Sequence, residues 1–196
     1  LSFARLAHRI FEETGAGRQK ILDDEGKNLI LRKIAGNYEQ ELKVLRGNLK
    51  KQGYISEVKS VISEFTQYGI GVEALDSLLE TLDMHSYLYY KLQDIRQVYE
   101  GFESYLADKY ITKEELLDVL SGVARKSKIL KDSVIALDGF TGFTPVQDRL
   151  LGELLGVCRK LLITVEMDQR ENPFIYRHPY QLFALSKQMV ASLTEI

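Results

Sequence analysis

Two aspartates stand where a nucleotide-handling protein keeps its metal ligand. The apolar run VIAL ends on Asp138, and LLITVEM ends on Asp168. In open parallel sheets, ligands bind beyond the C-terminal strand ends. An Asp placed there can hold Mg²⁺ directly or through water. If the two strands are neighbours, both carboxylates face one crevice. Asp at a strand end also caps turns and following helices, so the same residues have a purely structural use. The second kind of chemistry is phosphate contact. RKSKILK carries Arg125, Lys126, Lys128 and Lys131, and KVLRGNLKK spans Lys43–Lys51. Either run can meet a nucleic-acid backbone or form a solvated helix face. Eleven tyrosines and no tryptophan can stack on bases or serve as half-buried ends of helix packing.

Much chemistry is excluded. The phosphate-loop pattern GxxxxGK[ST] does not occur, and GRQK at Gly17–Lys20 lacks its spacing and follows no strand. There is no HExxH and no GxSxG. His8, His85 and His178 are far apart in sequence and read as structural or surface residues. With Cys158 as the only cysteine, neither an internal disulfide nor a cysteine-rich zinc or iron–sulfur site can form within these residues. A net charge of -2 is no overall nucleic-acid footprint, although a local basic patch is compatible with it. No signal peptide or long apolar span is present, so a cytoplasmic, non-membrane protein is expected. The chain begins at Leu1 without Met and reads as a piece of a longer protein.

The elements that position these residues fall into two textures. LSFARLAHRIFEETG is an amphipathic helix with Ser2 as cap and Gly15 as stop. Helical patterns then run through GRQKILDDEGKNLILRKIAGNY, through two segments broken at Gly53 and Gly69, and through VEALDSLLETL. The long helix after these presents Leu88, Leu92, Ile95, Val98 and Tyr99 on one face. Thr112 and Glu115 form a capping box before another helix. From about residue 132 the pattern becomes strand, helix, strand: VIALD, then VQDRLLGELLGVCRK with Leu150, Leu151, Leu154, Leu155 and Cys158 inward, then LLITVEMD. This is one βαβ unit, which needs further strands to make a complete sheet. The expected class is α/β, with residues 132–196 part of a larger α/β domain and the helical stretch from about 16 to 131 an insertion or a neighbouring domain.

VIALDGFTGFTPVQDRLLGELL resembles the second helicase motif of the UvrD- and Rep-type superfamily. Asp138 matches the magnesium-associated Asp, Phe140 the aromatic, and Pro145, Gln147, Leu150 and Leu151 the tail. DGFTGFTPVQ is similar to the form found in the B subunit family of AddAB (RexAB) type ATP-dependent helicase/nucleases. GYISEVKSVISEF and KLQDIRQVYEGFESYL resemble the inserted helical domain of that family. LLITVEMDQRENPFIY resembles its third motif, with Asp168 and Gln169 at the acidic and Gln positions. The resemblance implies a partial RecA-like parallel sheet of a P-loop NTPase lobe, with residues 1–15 and 132–196 in the lobe and 16–131 an all-helical insertion. It implies Asp138 and Gln169 as cofactor-binding residues and Asp138 as a metal ligand. The partners implied are DNA and the A (motor) subunit, with a role in double-strand break repair and recombination. ATP and Mg²⁺ belong to the parent protein, and an iron–sulfur cluster to a C-terminal nuclease beyond these residues. The Glu that activates water in working helicases falls on Gly139, and the Gln and Asp beyond it on Thr141 and Gly142. No side chain there can accept the water's proton. The resemblance therefore implies a degenerate ATPase motif and no catalytic residue in this chain. Two other readings stay open: part of an active helicase with an unusual second motif, and a non-enzymatic helical interaction module.

Overall fold

A computed structural model describes residues 2–17, 19–49, 51, 53–107 and 109–196. Leu1, Arg18 of the GRQK run and Lys50 of the second basic run lie outside the described residues. The chain is a mixed α/β protein, mostly helical, with two two-stranded parallel sheets. It divides into two compact units, Gln19–Glu115, and Leu1–Arg18 with Leu116–Ile196.

In the 19–115 unit, β1 (Lys20–Leu22) pairs in parallel with β2 (Tyr110–Thr112). Between them lie α2 (Asp24–Asn37), α3 (Tyr54–Tyr68), α4 (Val72–Thr81) and α5 (Tyr87–Leu106); α1 (Phe3–Thr14) precedes them in the other unit. Asp23 starts α2 by accepting the Gly26 N–H at 2.7 Å. Leu31, Leu45, Leu75 and Val98 are at most 1% exposed and centre the core, each worth about 1.5–3 kcal/mol of burial. A Cβ on Gly101 of α5 would lie 2.8 Å from Ile34 and 3.0 Å from the Tyr38 ring, so glycine is what lets α5 approach α2. Residues 39–49 carry a helical pattern in sequence but form a loop with one 3₁₀ turn at Arg46–Asn48. The cause is Asp94 of α5, 2% exposed. Its carboxylate accepts the N–H groups of Lys43, Val44 and Leu45 at 3.0, 2.7 and 2.9 Å. Three charge-assisted bonds to one buried acceptor outweigh local helix propensity.

The other unit contains α1 together with α6 (Leu116–Ala124), α7 (Lys128–Lys131), β3 (Val134–Leu137), α8 (Pro145–Val157), β4 (Lys160–Ile163) and α9 (Ala184–Thr194). Residues 116–131, which the sequence pattern places with the helical stretch, belong here because α6 packs against α1 and α8. Ser2 and Gly15 cap α1 as their types predict, Gly15 in the left-handed region at φ 72°. The core of α8 is Val146, Leu150, Leu151 and Leu154. Leu155 departs from expectation: it is 52% exposed, one position off the buried stripe. Cys158 is half-buried and ends the helix. β3 and β4 pair in parallel with Val134 opposite Lys160 and Leu137 opposite Ile163. Among the described residues neither strand has a second neighbour, and Val134 and Leu162 stay 55% and 42% exposed.

Candidate functional site at the strand ends

Asp138 comes directly after the last residue of β3 and is exposed. Its partner is not Asp168. β4 stops at Ile163, although the apolar run continues, and the next residue, Thr164, donates its hydroxyl to Asp138. The Thr164 N–H also extends the ladder to the Leu137 carbonyl at 2.9 Å. Asp168 lies five residues past the strand and works locally. It accepts the Arg170 backbone N–H at 2.9 Å and the Arg170 guanidinium at 2.7 and 3.0 Å. The Arg170 side chain, then its backbone N–H, holds the Asp168 carboxyl below the usual range. Gln169 sits exposed in the same turn. The two carboxylates are thus engaged separately, Asp138 by Thr164 and Asp168 by Arg170, and Thr164 is the neighbour of the candidate site that sequence reasoning did not name. Only a β-register could have revealed it.

The residues after Asp138 are firmly placed. Gly139 adopts φ 76°, and open space surrounds the position its Cβ would take. Phe140 packs between Phe3, with ring centres 5.7 Å apart, and Phe143, at 5.1 Å and stacked. Thr144 and Gln147 exchange the two hydrogen bonds of a capping box at 2.8 and 3.4 Å, and Pro145 opens the helix. Beside β3 a cavity of about 620 Å³ is lined by Phe3, Leu6, Ala136, Phe140 and Leu154, with Asp138 the only charged residue among the described residues that line it.

The fit of a metal nucleotide is limited. Mg²⁺ is held by one or two carboxylates with substrate phosphates and water. Asp138 could supply one such ligand, and no group of three His, Cys, Asp or Glu gathers among the described residues. Gly139, the residue that follows Asp138, offers no side-chain proton acceptor. One carboxylate at a strand end, with no second acid gathered beside it among the described residues, could hold at most part of a metal–nucleotide frame.

The basic run lies on and before the short α7. Ser127 is fully buried and, with Glu13 of α1, holds this corner. Glu13 accepts the Ser127 hydroxyl at 2.5 Å and the N–H groups of Lys128 and Ile129 at 2.8 and 3.1 Å. The Ser127 bond is the largest cause of a Glu13 carboxyl held below its ordinary 4.5. Arg125 is paired with Glu153 at 2.6 Å. Lys126, Lys128 and Lys131 are exposed and form no ion pair among the described residues. The long segment after β4 is tied down by α9. Lys187, 5% exposed, donates to Glu171 at 2.5 Å, and the Ser186 hydroxyl donates to the Glu166 carbonyl at 2.9 Å. No helix among the described residues is long and apolar enough to cross a membrane.

Over residues 1–196 the chain matches the family model described as ADDB, N-terminal. It is 42% identical over 198 residues to the B subunit of the ATP-dependent helicase/deoxyribonuclease of Lachnoclostridium phytofermentans, covering 100% of this chain and 17% of that relative. To the protein of the same description from Clostridium kluyveri it is 36% identical over 168 residues, covering 86% of this chain and 14% of the relative. To that from Alkaliphilus metalliredigens it is 33% identical over 168 residues, covering 86% and 15%. The chain thus spans a small part of the length of these relatives.

Proposed function

The chain belongs to the ADDB N-terminal family, and on that premise we propose that it is the N-terminal helicase-like portion of an ATP-dependent helicase/deoxyribonuclease B subunit. Its role is structural and single-strand-contacting, and it hydrolyses no ATP. The observation that carries this reading is the Asp138–Gly139 pair: a retained metal-side Asp beside a residue with no carboxylate and a left-handed backbone. The β3–β4 pair, with exposed apolar residues and no further strand beside it among the described residues, is part of a RecA-like sheet that the parent protein completes. The 19–115 unit, with its boundary strands 20–22 and 110–112, is the core of the helical insertion. Asp138 and Gln169 are the residues through which the lobe meets nucleotide and Mg²⁺ when the parent protein binds them. The parent works in the cytoplasm, in double-strand break repair and recombination, with a motor A subunit.

DNA contact in this reading falls on Lys126, Lys128 and Lys131, with Arg125 able to exchange Glu153 for phosphate, since exposed ion pairs are weak. Each single-strand phosphate contact contributes about 0.7 to the slope of log K against log salt. Neutralising the three lysines to Ala in the full-length subunit is expected to lower that slope by about 2 and to weaken single-strand binding regardless of sequence. Unchanged affinity and slope would remove the DNA contact from this surface.

A further inference from the structure

The surplus of acid over base lies in the 19–115 unit, which has 17 Asp and Glu against 13 Lys and Arg, while the remaining residues have 11 against 13. Part of that surplus converges on one feature. An open cleft of about 1150 Å³ runs between α4, the turn after it and α5. Its lining includes Asp76, Glu80, Asp83 and Glu100, with Arg96 the only Lys or Arg among the described residues that line it. Arg96 shows what the cleft accepts: its guanidinium takes both Asp76 oxygens at 2.6 and 3.1 Å and Glu100 at 2.7 Å. Glu80 and Asp83 have no such cation among the described residues. Asp83 accepts only a local backbone N–H, that of His85 at 2.9 Å.

The cleft is also apolar where a partner needs it. Leu79, Leu82 and Met84 line it, Met84 63% exposed. On the same helix–turn–helix, Leu78, Tyr87 and Leu88 are 44%, 70% and 50% exposed. Apolar anchors beside carboxylates match a protein segment that carries Lys or Arg next to an apolar side chain. A nucleic-acid backbone is repelled by the same carboxylates.

We propose that the α4–α5 cleft docks a basic, apolar-anchored segment of the companion subunit. This rests on the reading of the chain as part of a multi-subunit helicase/deoxyribonuclease. The partner's cation takes Glu80 and Asp83, beside the guanidinium already in place, and its apolar residue covers Met84.

The test uses the full-length subunit and its companion. The pair E80K/D83K is expected to slow association about tenfold at low salt and to flatten its salt dependence. The pair E57K/E64K, with the same charge change on α3 outside the cleft, should leave both unchanged. A photo-crosslinking residue at Met84 should join the companion at a segment containing Lys or Arg. Equal effects of the two charge pairs, or crosslinks only within the same chain, to a second copy or to DNA, would overturn the proposal. If wild-type subunits do not associate at all, the subunit reading itself fails, which is a different result.

Discussion

Replacing Lys27 with Met probes the polar joint of the 19–115 unit. Lys27 Nζ is 2.7 and 2.8 Å from the Glu114 oxygens and 3.3 Å from Ser63 Oγ. The Lys27 and Glu114 side chains are only 2% and 11% exposed. Without the ammonium, Glu114 must stay charged and unpaired in a site of low dielectric or take up a proton. Breaking a buried pair from one side costs about 3–5 kcal/mol, a large share of the ~5–15 kcal/mol that holds a domain together. The double variant K27M/E114L removes both charges and should recover most of the loss. The acid response has a definite sign. Burial disfavours the Glu114 carboxylate most, but the Lys27 hydrogen bond, the residue's own N–H and the Lys27 charge together hold its carboxyl below 4.5. A depressed carboxyl adds stability that is full above the unfolded value and lost as pH falls through the folded one. Wild type should therefore lose stability below 4.5, and K27M/E114L should lose less. Urea unfolding followed by circular dichroism, at neutral pH and through the acid range, reads both effects. A K27M variant within about 1 kcal/mol of wild type, or a double variant no better than the single, would refute the reasoning.

Other outcomes turn on single residues. Asp94→Ala leaves the N–H groups of Lys43, Val44 and Leu45 without their acceptor, that of Leu45 buried and the other two partly so, and should cost about 3 kcal/mol. Hydrogen exchange at Lys43, Val44 and Leu45 should rise well before that of α5. Gly139→Ala meets no neighbour, so its cost is the left-handed backbone alone, about 1 kcal/mol by thermal or urea unfolding. Gly139→Glu should carry a similar cost and still give no ATP turnover, because the φ of 76° aims a side chain differently from an extended or helical residue.

Elements that carry their own signals are legible in the sequence. α1 has Ser2 and Gly15 at its ends, α8 has the Thr144–Gln147 box, and β3 is a compact apolar run bounded by Ser133 and Asp138. β1 and β2 are three residues each, too short for a period, and exist because the chain segments beside them pair in parallel. α9 is weakly amphipathic and is anchored by Lys187 and Ser186 to partners 16 and 20 residues away. The loop at 39–49 reads as helix in sequence because its organiser, Asp94, is about fifty residues distant. The site itself is half legible. Asp138 is visible as a strand end, whereas Thr164 depends on where β4 stops pairing, and a β-branched run such as LLITV hides that point. In the basic run, residue type supplies the charge, but the burial of Ser127 and the pairing of Arg125 come from tertiary contacts.

On the function proposed, Asp138 marks a retained frame without hydrolysis. ATP turnover by the isolated full-length subunit, with Mg²⁺ and single-stranded DNA present, tests it most directly. No turnover above background is expected, for wild type and for Gly139→Glu alike. Magnesium-dependent turnover that disappears in Asp138→Asn would contradict the account.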